Sequence, residues 1–364
     1  MRIALLTYST RPRGGVVHTL ALAEALADRG ADVTVWTIAR GGDAEFFRPV
    51  DPRVRLRLVP FPDVPGEGVG PRVLRSIAAL AETFDGGYDI VHAQDCITAN
   101  AVGPCVRTVH HLDTFTTPEL AACHERAIRR PHTHVCVSAA VAAELRAGWG
   151  VDATVIPNGV DSARFTAAST PDADASRVLW RRRLGRYVLA VGGIEPRKGT
   201  LDLVEAMSSA RGDLRLVIAG GETLFDYNSY RAEVMDRAAE LGVAPVVLGA
   251  VPHAELPALV AAASVFAFPS VKEGFGLAAM EALAAGVPVV VRDTAVFREV
   301  FGEAVTYAAS PGELAARLVE AAETPDPGRR AAGQALASRH TWAAAADAHL
   351  ALYRAVLAAP VSAP

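Results

Sequence analysis

Residues 265–281 read Val265-Phe266-Ala267-Phe268-Pro269-Ser270-Val271-Lys272-Glu273-Gly274-Phe275-Gly276-Leu277-Ala278-Ala279-Met280-Glu281. An apolar run closed by a proline suits a short strand buried on both faces of a sheet. The loop that follows carries Glu273 and glycines, and a Leu- and Ala-rich helix starts near Gly276-Leu277. Unsatisfied backbone N–H groups and the helix dipole make such an N-terminus an anion site. Glycines there let a phosphate approach the backbone with no Cβ in the way. Glu281 falls about one turn inside the helix, where a carboxylate can hold two neighbouring ribose hydroxyls. Glu273 sits on the loop, facing whatever the phosphate is attached to. Either glutamate alone could be a surface carboxylate or a favourable charge in a helix's first turns. The complete string is poorly explained that way.

Outward from this stretch, the same alternation fills the chain. In the second half Tyr187–Val191, Leu214–Ala219, Val246–Leu248, Pro288–Arg292 and Ala304–Tyr307 are short apolar runs, mostly bounded by Gly or Pro, with helical segments such as Leu256–Ala262 and Leu277–Ala285 between them. The first half offers Ile3–Thr7, Asp32–Thr37, Val54–Val59, Tyr88–His92, Val106–Val109, Val135–Val137 and Ala153–Ile156. A βαβα succession predicts parallel sheets with helices on both faces, and 364 residues predict two such domains. The small polar stretch Asp161–Asp174 is read as the join. The expected domains are therefore residues 1–161 and 162–341. A last helix over 342–358, with Trp342, Ala346, His349, Leu350, Tyr353 and Leu357 at helical spacing, packs back on the first domain.

Composition narrows the function classes. A hydrophobic fraction of 51% with 21% charged residues excludes a disordered chain, a coiled coil and a collagen-like repeat. A net charge of −4, from 36 basic and 40 acidic residues, argues against a general polyanion or nucleic-acid binder. Cys96, Cys105, Cys123 and Cys136 form no C-x-x-C pair and read as thiols in a reducing compartment. The first apolar run is too short for a signal-peptide core, and no stretch is long and apolar enough for a transmembrane helix. The expected location is cytoplasmic, with peripheral attachment at the inner membrane face as the variant.

A second cluster lies at Val191-Gly192-Gly193-Ile194-Glu195-Pro196-Arg197-Lys198-Gly199, again a strand end leading into a helix. Two cations beside glycine at a strand's carboxyl edge would neutralise a diphosphate, Arg197 as a fork and Lys198 as a point charge. Alone, an Arg-Lys pair is usually just solvated; beside the first cluster it gains a purpose. Other patterns argue against rivals. Asp172-Ala173-Asp174 is formally a D-x-D metal signature, but its place before a helix suits an N-cap. No His/Cys/Asp cluster has metal spacing, so no metal site is expected. The first turn lacks G-x-G-x-x-G, which weakens a nicotinamide dehydrogenase reading. Arg181-Arg182-Arg183 reads as a solvated helix face. A glycosidase pair of Glu273 and Glu281 is not fixed at the needed distance across a loop-to-helix turn.

These strings resemble the retaining, nucleotide-sugar-dependent glycosyltransferases of family 4, which have the two-domain GT-B fold, and the resemblance runs over nearly the whole chain. Glu273 and Glu281 match the family's E-x7-E motif and Lys198 its diphosphate-binding lysine. Ile156-Pro157-Asn158-Gly159-Val160-Asp161 resembles the domain hinge, and Arg13-Gly14-Gly15 the first glycine-rich loop. The strings Gly192–Gly199 and Thr108-Val109-His110-His111-Leu112-Asp113 look most like an actinobacterial-type subgroup. One departure stands out: the family usually carries an arginine where this chain has Gly193, and Arg197 is the candidate replacement. The resemblance also implies a histidine near the reacting carbon of the transferred sugar, which is His110 or its neighbour His111. Val251 resembles the position whose backbone meets the nucleobase.

Taken together, the resemblance implies an α/β GT-B chain of two doubly wound, Rossmann-like domains facing a cleft. Its donor residues would be Gly15, Gly193, Arg197, Lys198, Val251, Glu273, Gly274, Phe275, Gly276, Leu277 and Glu281. Its catalytic residues would be His110, Glu273, Lys198 and Arg197. The partners implied are a nucleoside diphosphate sugar and an acceptor hydroxyl on a small molecule, a glycan or a lipid-linked compound, with no cofactor. The alternatives are a non-catalytic sugar-nucleotide-binding protein and a same-fold sugar-nucleotide epimerase. A phosphorylase would need a pyridoxal-type lysine motif that the sequence does not offer.

Overall fold

Each apolar run named above is a strand, its ends moved by at most a few residues. The computed structural model describes residues 1–115, 117–210, 212–221 and 227–359. Its strands are β1 (Arg2–Thr7), β2 (Asp32–Arg40), β3 (Arg55–Phe61), β4 (Ile90–Ala93), β5 (Val106–Val109), β6 (Thr133–Cys136), β7 (Thr154–Val155), β8 (Tyr187–Val191), β9 (Arg215–Ala219), β10 (Val246–Gly249), β11 (Val265–Phe268), β12 (Val289–Arg292) and β13 (Thr306–Ala308). They form one sheet ordered β3-β2-β1-β4-β5-β6-β7 and another ordered β10-β9-β8-β11-β12-β13. Neighbouring strands run parallel, for example Leu5 beside Val35 and Val188 beside Leu216. All of β5 and β11 is buried, as strands covered by helices on both faces must be.

The edges are handled differently from the centres. On β3 the exposed residues include Arg55 and Arg57, and Pro60 supplies no N–H to a further strand. At the other edge β7 is only two residues long. In both sheets the strand order reverses beside the first strand, between β1 and β4 and between β8 and β11. Ligands of open α/β sheets bind outside the carboxyl ends of the strands at such a switch point.

The chain divides into two units, Met1–Gly159 with the C-terminal stretch from Trp342, and Val160–Thr341. The division falls at Gly159–Val160, two residues before the expected one, and the stretch read as a join belongs to the second unit. Ser162–Ala167 is a helix that buries Phe165, and Asp161 caps its start. The Ser and Thr side chains that made it look like a linker have structural partners. Thr166 Oγ1 donates to the Ala284 carbonyl at 3.1 Å and Ser169 Oγ to that of Ala285 at 2.5 Å. They satisfy the last carbonyls of the helix Leu277–Ala284. In the first unit the C-terminal helix Trp342–Ala358 buries Ala345, Ala346, Leu350 and Tyr353 in one cluster with Leu20, Ala23 and Leu26 of the first helix, Gly14–Asp28. An Arg29–Asp347 ion pair joins the same two helices at the surface.

Candidate active site

Both sequence clusters lie at the switch point of the second sheet. The loop after β8 carries Gly192–Gly199 and the loop after β11 carries Pro269–Gly276, and these strands are neighbours. The loops are laced together: Val271 N–H donates to the Arg197 carbonyl at 2.8 Å, and Arg292 Nε donates to the Pro269 carbonyl at 2.8 Å. Arg292 also pairs with Asp202. Gly199 permits the approach. Its φ is +66°, and a Cβ there would lie 2.3 Å from the Pro269 carbonyl oxygen. Gly276, with φ +98°, stands before the helix Leu277–Ala284, where a Cβ would meet Phe301 Cζ at 2.9 Å. With no side chain at Gly276 to cap this end, the first N–H groups of the helix are presented to a ligand.

The cations converge on one carboxylate. Lys198 Nζ donates to Glu273 Oε1, and Arg197 Nη1 reaches the same oxygen at 2.9 Å. Arg197 Nε donates to Glu195 Oε2 at 2.9 Å, so the guanidinium bridges two glutamates. Lys198 Nζ also lies 5.2 Å from the centre of the Phe268 ring. The Lys198 and Glu273 side chains are 18% and 13% exposed, enough shielding to strengthen the pair beyond a surface salt bridge. Gly274, Phe275 and Gly276 are buried and Leu277 is half-buried beside them, while Gly193 lies in the β8 loop, half-buried. Val251 follows β10, two strands away from β8.

Glu281, in the first turns of the Leu277–Ala284 helix, has a carboxyl pushed up to about 7. Burial is the main cause; the Arg164 charge opposes it and Asp161 adds to it. Arg164 itself donates to the His253 carbonyl. A buried carboxyl that is costly to ionise gains most from a ligand that donates hydroxyl hydrogen bonds to it.

At the first sheet, Gly15 and His110 come together: a Cβ on Gly15 would lie 3.8 Å from His110 Cδ2 and Nε2. His111 instead pairs with Asp113, Nε2 to Oδ1 at 3.2 Å. Sequence reasoning did not single out the groups that surround His110 and the loops. His18, His92 and His349 are buried in the same region as His110. Glu195, Arg164 and Arg292 support the second unit's loops. The available signal was position: His18 lies three residues past Gly15, and Arg292 ends the strand beside β11. Among the described residues, no group of three or more His, Cys, Asp or Glu side chains is placed to hold a metal ion. Asp174 of the D-x-D string lies in the first turn of a helix and pairs with Arg177 at 3.0 Å. No helix of the described residues is long and apolar enough to cross a membrane.

Known proteins resemble the chain across both units. Residues 12–164 match the family model described as Glycosyltransferase Family 4, and residues 181–335 the model described as Glycosyl transferases group 1. D-inositol 3-phosphate glycosyltransferase of Salinispora tropica is 31% identical, over 93% of this chain and 81% of the relative. Phosphatidyl-myo-inositol mannosyltransferase of Mycolicibacterium smegmatis is also 31% identical, over 83% and 79%. Among solved structures, sucrose-phosphate synthase from Thermosynechococcus elongatus superimposes with a TM-score of 0.76 at 21% identity, covering 98% of this chain and 99% of that one. HepE of Anabaena, in complex with UDP and glucose, gives 0.73 at 21%, covering 98% and 100%. With its two parallel-sheet units and these matches across both, the chain belongs to the family 4 glycosyltransferases of GT-B fold.

Proposed function

We propose that this glycosyltransferase moves a sugar from a nucleoside diphosphate sugar to an acceptor hydroxyl, with retention at the anomeric carbon and without a metal ion. The observation that carries the reading is the convergence of Lys198 and Arg197 on Glu273 beside the open N-terminus of Leu277–Ala284. A diphosphate entering there replaces Glu273 as partner of the cations and gains the helix N–H groups. Both then face the charge that builds on the leaving group as the sugar becomes oxocarbenium-like. Glu281 accepts from the ribose hydroxyls. Glu273, released from the cations, accepts from the transferred sugar, and the family resemblance assigns His110 a role toward that sugar. Arg197 takes the place of the arginine missing at Gly193. The acceptor attacks on the face the diphosphate leaves, and a leaving phosphate oxygen takes its proton.

Fixed cations and a helix N-terminus do here what a divalent ion would do elsewhere, so no metal is assigned to the reaction. Both relatives above are named for an inositol phosphate unit, free in one and lipid-linked in the other. A hydroxyl of a phosphorylated cyclitol is accordingly the first acceptor to test. UDP-, GDP- and ADP-sugars are offered with inositol phosphate, with and without excess EDTA, and the anomeric configuration of the product is read by NMR. Transfer that persists in EDTA and keeps the donor's configuration is expected. Loss of transfer on chelation, restored by Mg²⁺ or Mn²⁺, overturns the metal-free mechanism; an inverted product overturns retention.

A further inference from the structure

We propose that His18, held by Asn158, is a positioning residue for His110, setting the plane of its ring so that the two imidazoles do not carry a proton together. The inference rests on the reading of His110 given above. His18 lies on the first helix, one turn past Gly15, and is 1% exposed. Its ring meets that of His110 at right angles, with centroids 4.8 Å apart and planes 79° apart. A Cβ on Gly15 would reach the His110 ring as well, so the glycine-rich turn and the helix behind it border that imidazole together. Trp342 of the C-terminal helix walls His18 at 5.3 Å and His349 at 6.4 Å.

The hydrogen bonding fixes the state of His18. Its Nδ1 lies 2.9 Å from Asn158 Oδ1. An amide oxygen only accepts, so Nδ1 carries the proton and a neutral ring leaves Nε2 with a lone pair. That Nε2 is buried and has no hydrogen-bond partner. A phenylalanine would fill the space but leave buried Asn158 Oδ1 without its donor, so packing alone does not account for a histidine here. Asn158 is 4% exposed and comes from the Pro157-Asn158-Gly159 string that resembles the family's hinge. Its side chain sets the tautomer of a group next to the candidate catalytic histidine, as an oxygen accepting from one ring nitrogen orients metal-bound or catalytic imidazoles.

The charges acting on His18 come from every side. Burial holds its pKa well below the usual imidazole range, and charge on His110, His349 or His92 lowers it further. His92, on β4, is held by the Tyr353 hydroxyl at 2.6 Å and Thr108 Oγ1 at 2.7 Å. His349 donates to the Ala345 carbonyl at 2.8 Å and is pushed down to about 4 by burial. Each of these rings therefore prefers to be neutral, and because repulsion is reciprocal, a proton on His18 opposes one on His110.

Two variants test this, with two readouts. Asn158→Asp keeps an acceptor for Nδ1–H but adds a negative charge that favours imidazolium at His18. ¹⁵N-histidine NMR of the free protein should then show His18 titrating above pH 6 and the His110 midpoint falling by at least about half a unit. His18→Phe keeps the ring packing and should lower kcat for hydrolysis of UDP-glucose or GDP-mannose at least tenfold. The dissociation constant of the bare UDP or GDP should be unchanged, while the melting temperature should fall modestly because buried Asn158 Oδ1 loses its donor. An unmoved His110 midpoint in Asn158→Asp, or kcat within twofold of wild type in His18→Phe, overturns the proposal. A wild-type protein that neither binds nor hydrolyses a nucleotide sugar contradicts the proposed function instead, and the NMR coupling still decides between His18 as partner of His110 and His18 as filler. If Asn158→Asp fails to fold, the kcat of His18→Phe decides alone, a value within about twofold of wild type overturning the proposal.

Discussion

At the carboxyl edge of the second sheet, Lys198 and Arg197 share Glu273 in a half-shielded ionic cluster. In the first unit His18, His92, His110 and His349 pack ring against ring, and burial keeps His18, His92 and His349 from charging. The two sheets share a parallel doubly wound plan yet treat charge in opposite ways. In the ionic cluster two cations share one carboxylate, the partner that the proposed diphosphate would replace. The imidazole cluster is desolvated, its members tied to Asn158, Tyr353 and Thr108. Substitutions in the ionic cluster should therefore cost activity with little stability lost, and substitutions in the imidazole cluster should reach the fold.

The largest effect is expected from Lys198→Ala. Removing one charge-stabilising group costs roughly 2.7–4 kcal/mol of barrier, about 100- to 1000-fold in kcat. The far-ultraviolet circular dichroism spectrum should be unchanged. A mutant with wild-type kcat in a sugar-nucleotide assay removes Lys198 from the site and erases the contrast between the regions.

Tyr353→Phe probes the other side of the comparison. It leaves buried His92 Nδ1 without its hydroxyl partner, and an orphaned buried polar atom costs about 1–3 kcal/mol. Denaturant unfolding followed by hydrogen exchange in the first unit should register that loss. Undiminished stability there would mean that the buried imidazoles contribute little to holding the C-terminal helix.

Glu281 couples the comparison to pH. Its carboxyl, raised by burial from an ordinary value of 4.5 to about 7, holds its proton in the free protein below that point. Donor binding that needs the carboxylate should weaken as pH falls below about 7, by about tenfold per unit. Stability runs the other way. Between 4.5 and about 7 the folded state binds more protons at this site than the unfolded chain, so its contribution is fully present at low pH and is lost as pH rises through the interval. Glu281→Gln should bind nucleotide more weakly yet melt higher than wild type at pH 8. A nucleotide affinity that is flat from pH 6 to 8 would take Glu281 out of the ribose site.

The smallest effect concerns Glu273→Gln and bare nucleotide. If Glu273 competes with the proposed diphosphate for Lys198 and Arg197, its neutralisation should leave UDP or GDP affinity within about threefold of wild type, or tighten it. Loss of kcat at unchanged affinity would place its contact on the transferred sugar. Equal weakening by Glu273→Gln and Glu281→Gln would show that the two glutamates do not divide the donor between them.

Much of the fold was legible because buried parallel strands are continuous apolar runs, and 265–268 and 187–191 could be read without ambiguity. The loops at their ends were legible because glycine beside cations and carboxylates has few structural uses. What escaped the sequence depended on partners far along the chain. Thr166 and Ser169 looked like linker residues because their carbonyl partners, Ala284 and Ala285, are more than a hundred residues away. His18, Asn158 and Tyr353 are scattered between the first helix and the last, so only the return of the C-terminal helix assembles their cluster. That Glu273 pairs with both cations also could not be read from spacing, since a loop does not fix which way its carboxylate turns.

The central claim, that the second unit's ionic cluster is a diphosphate site, is met most directly by calorimetric titration of wild type and Lys198→Ala with UDP and with GDP at pH 8. Wild type should bind at least one of them with one-to-one stoichiometry, and Lys198→Ala should bind it at least tenfold more weakly, the loss of about 1.4 kcal/mol or more expected for a cation that pairs with phosphate. Equal affinity in the two proteins, or no binding of either nucleotide to wild type, would contradict it.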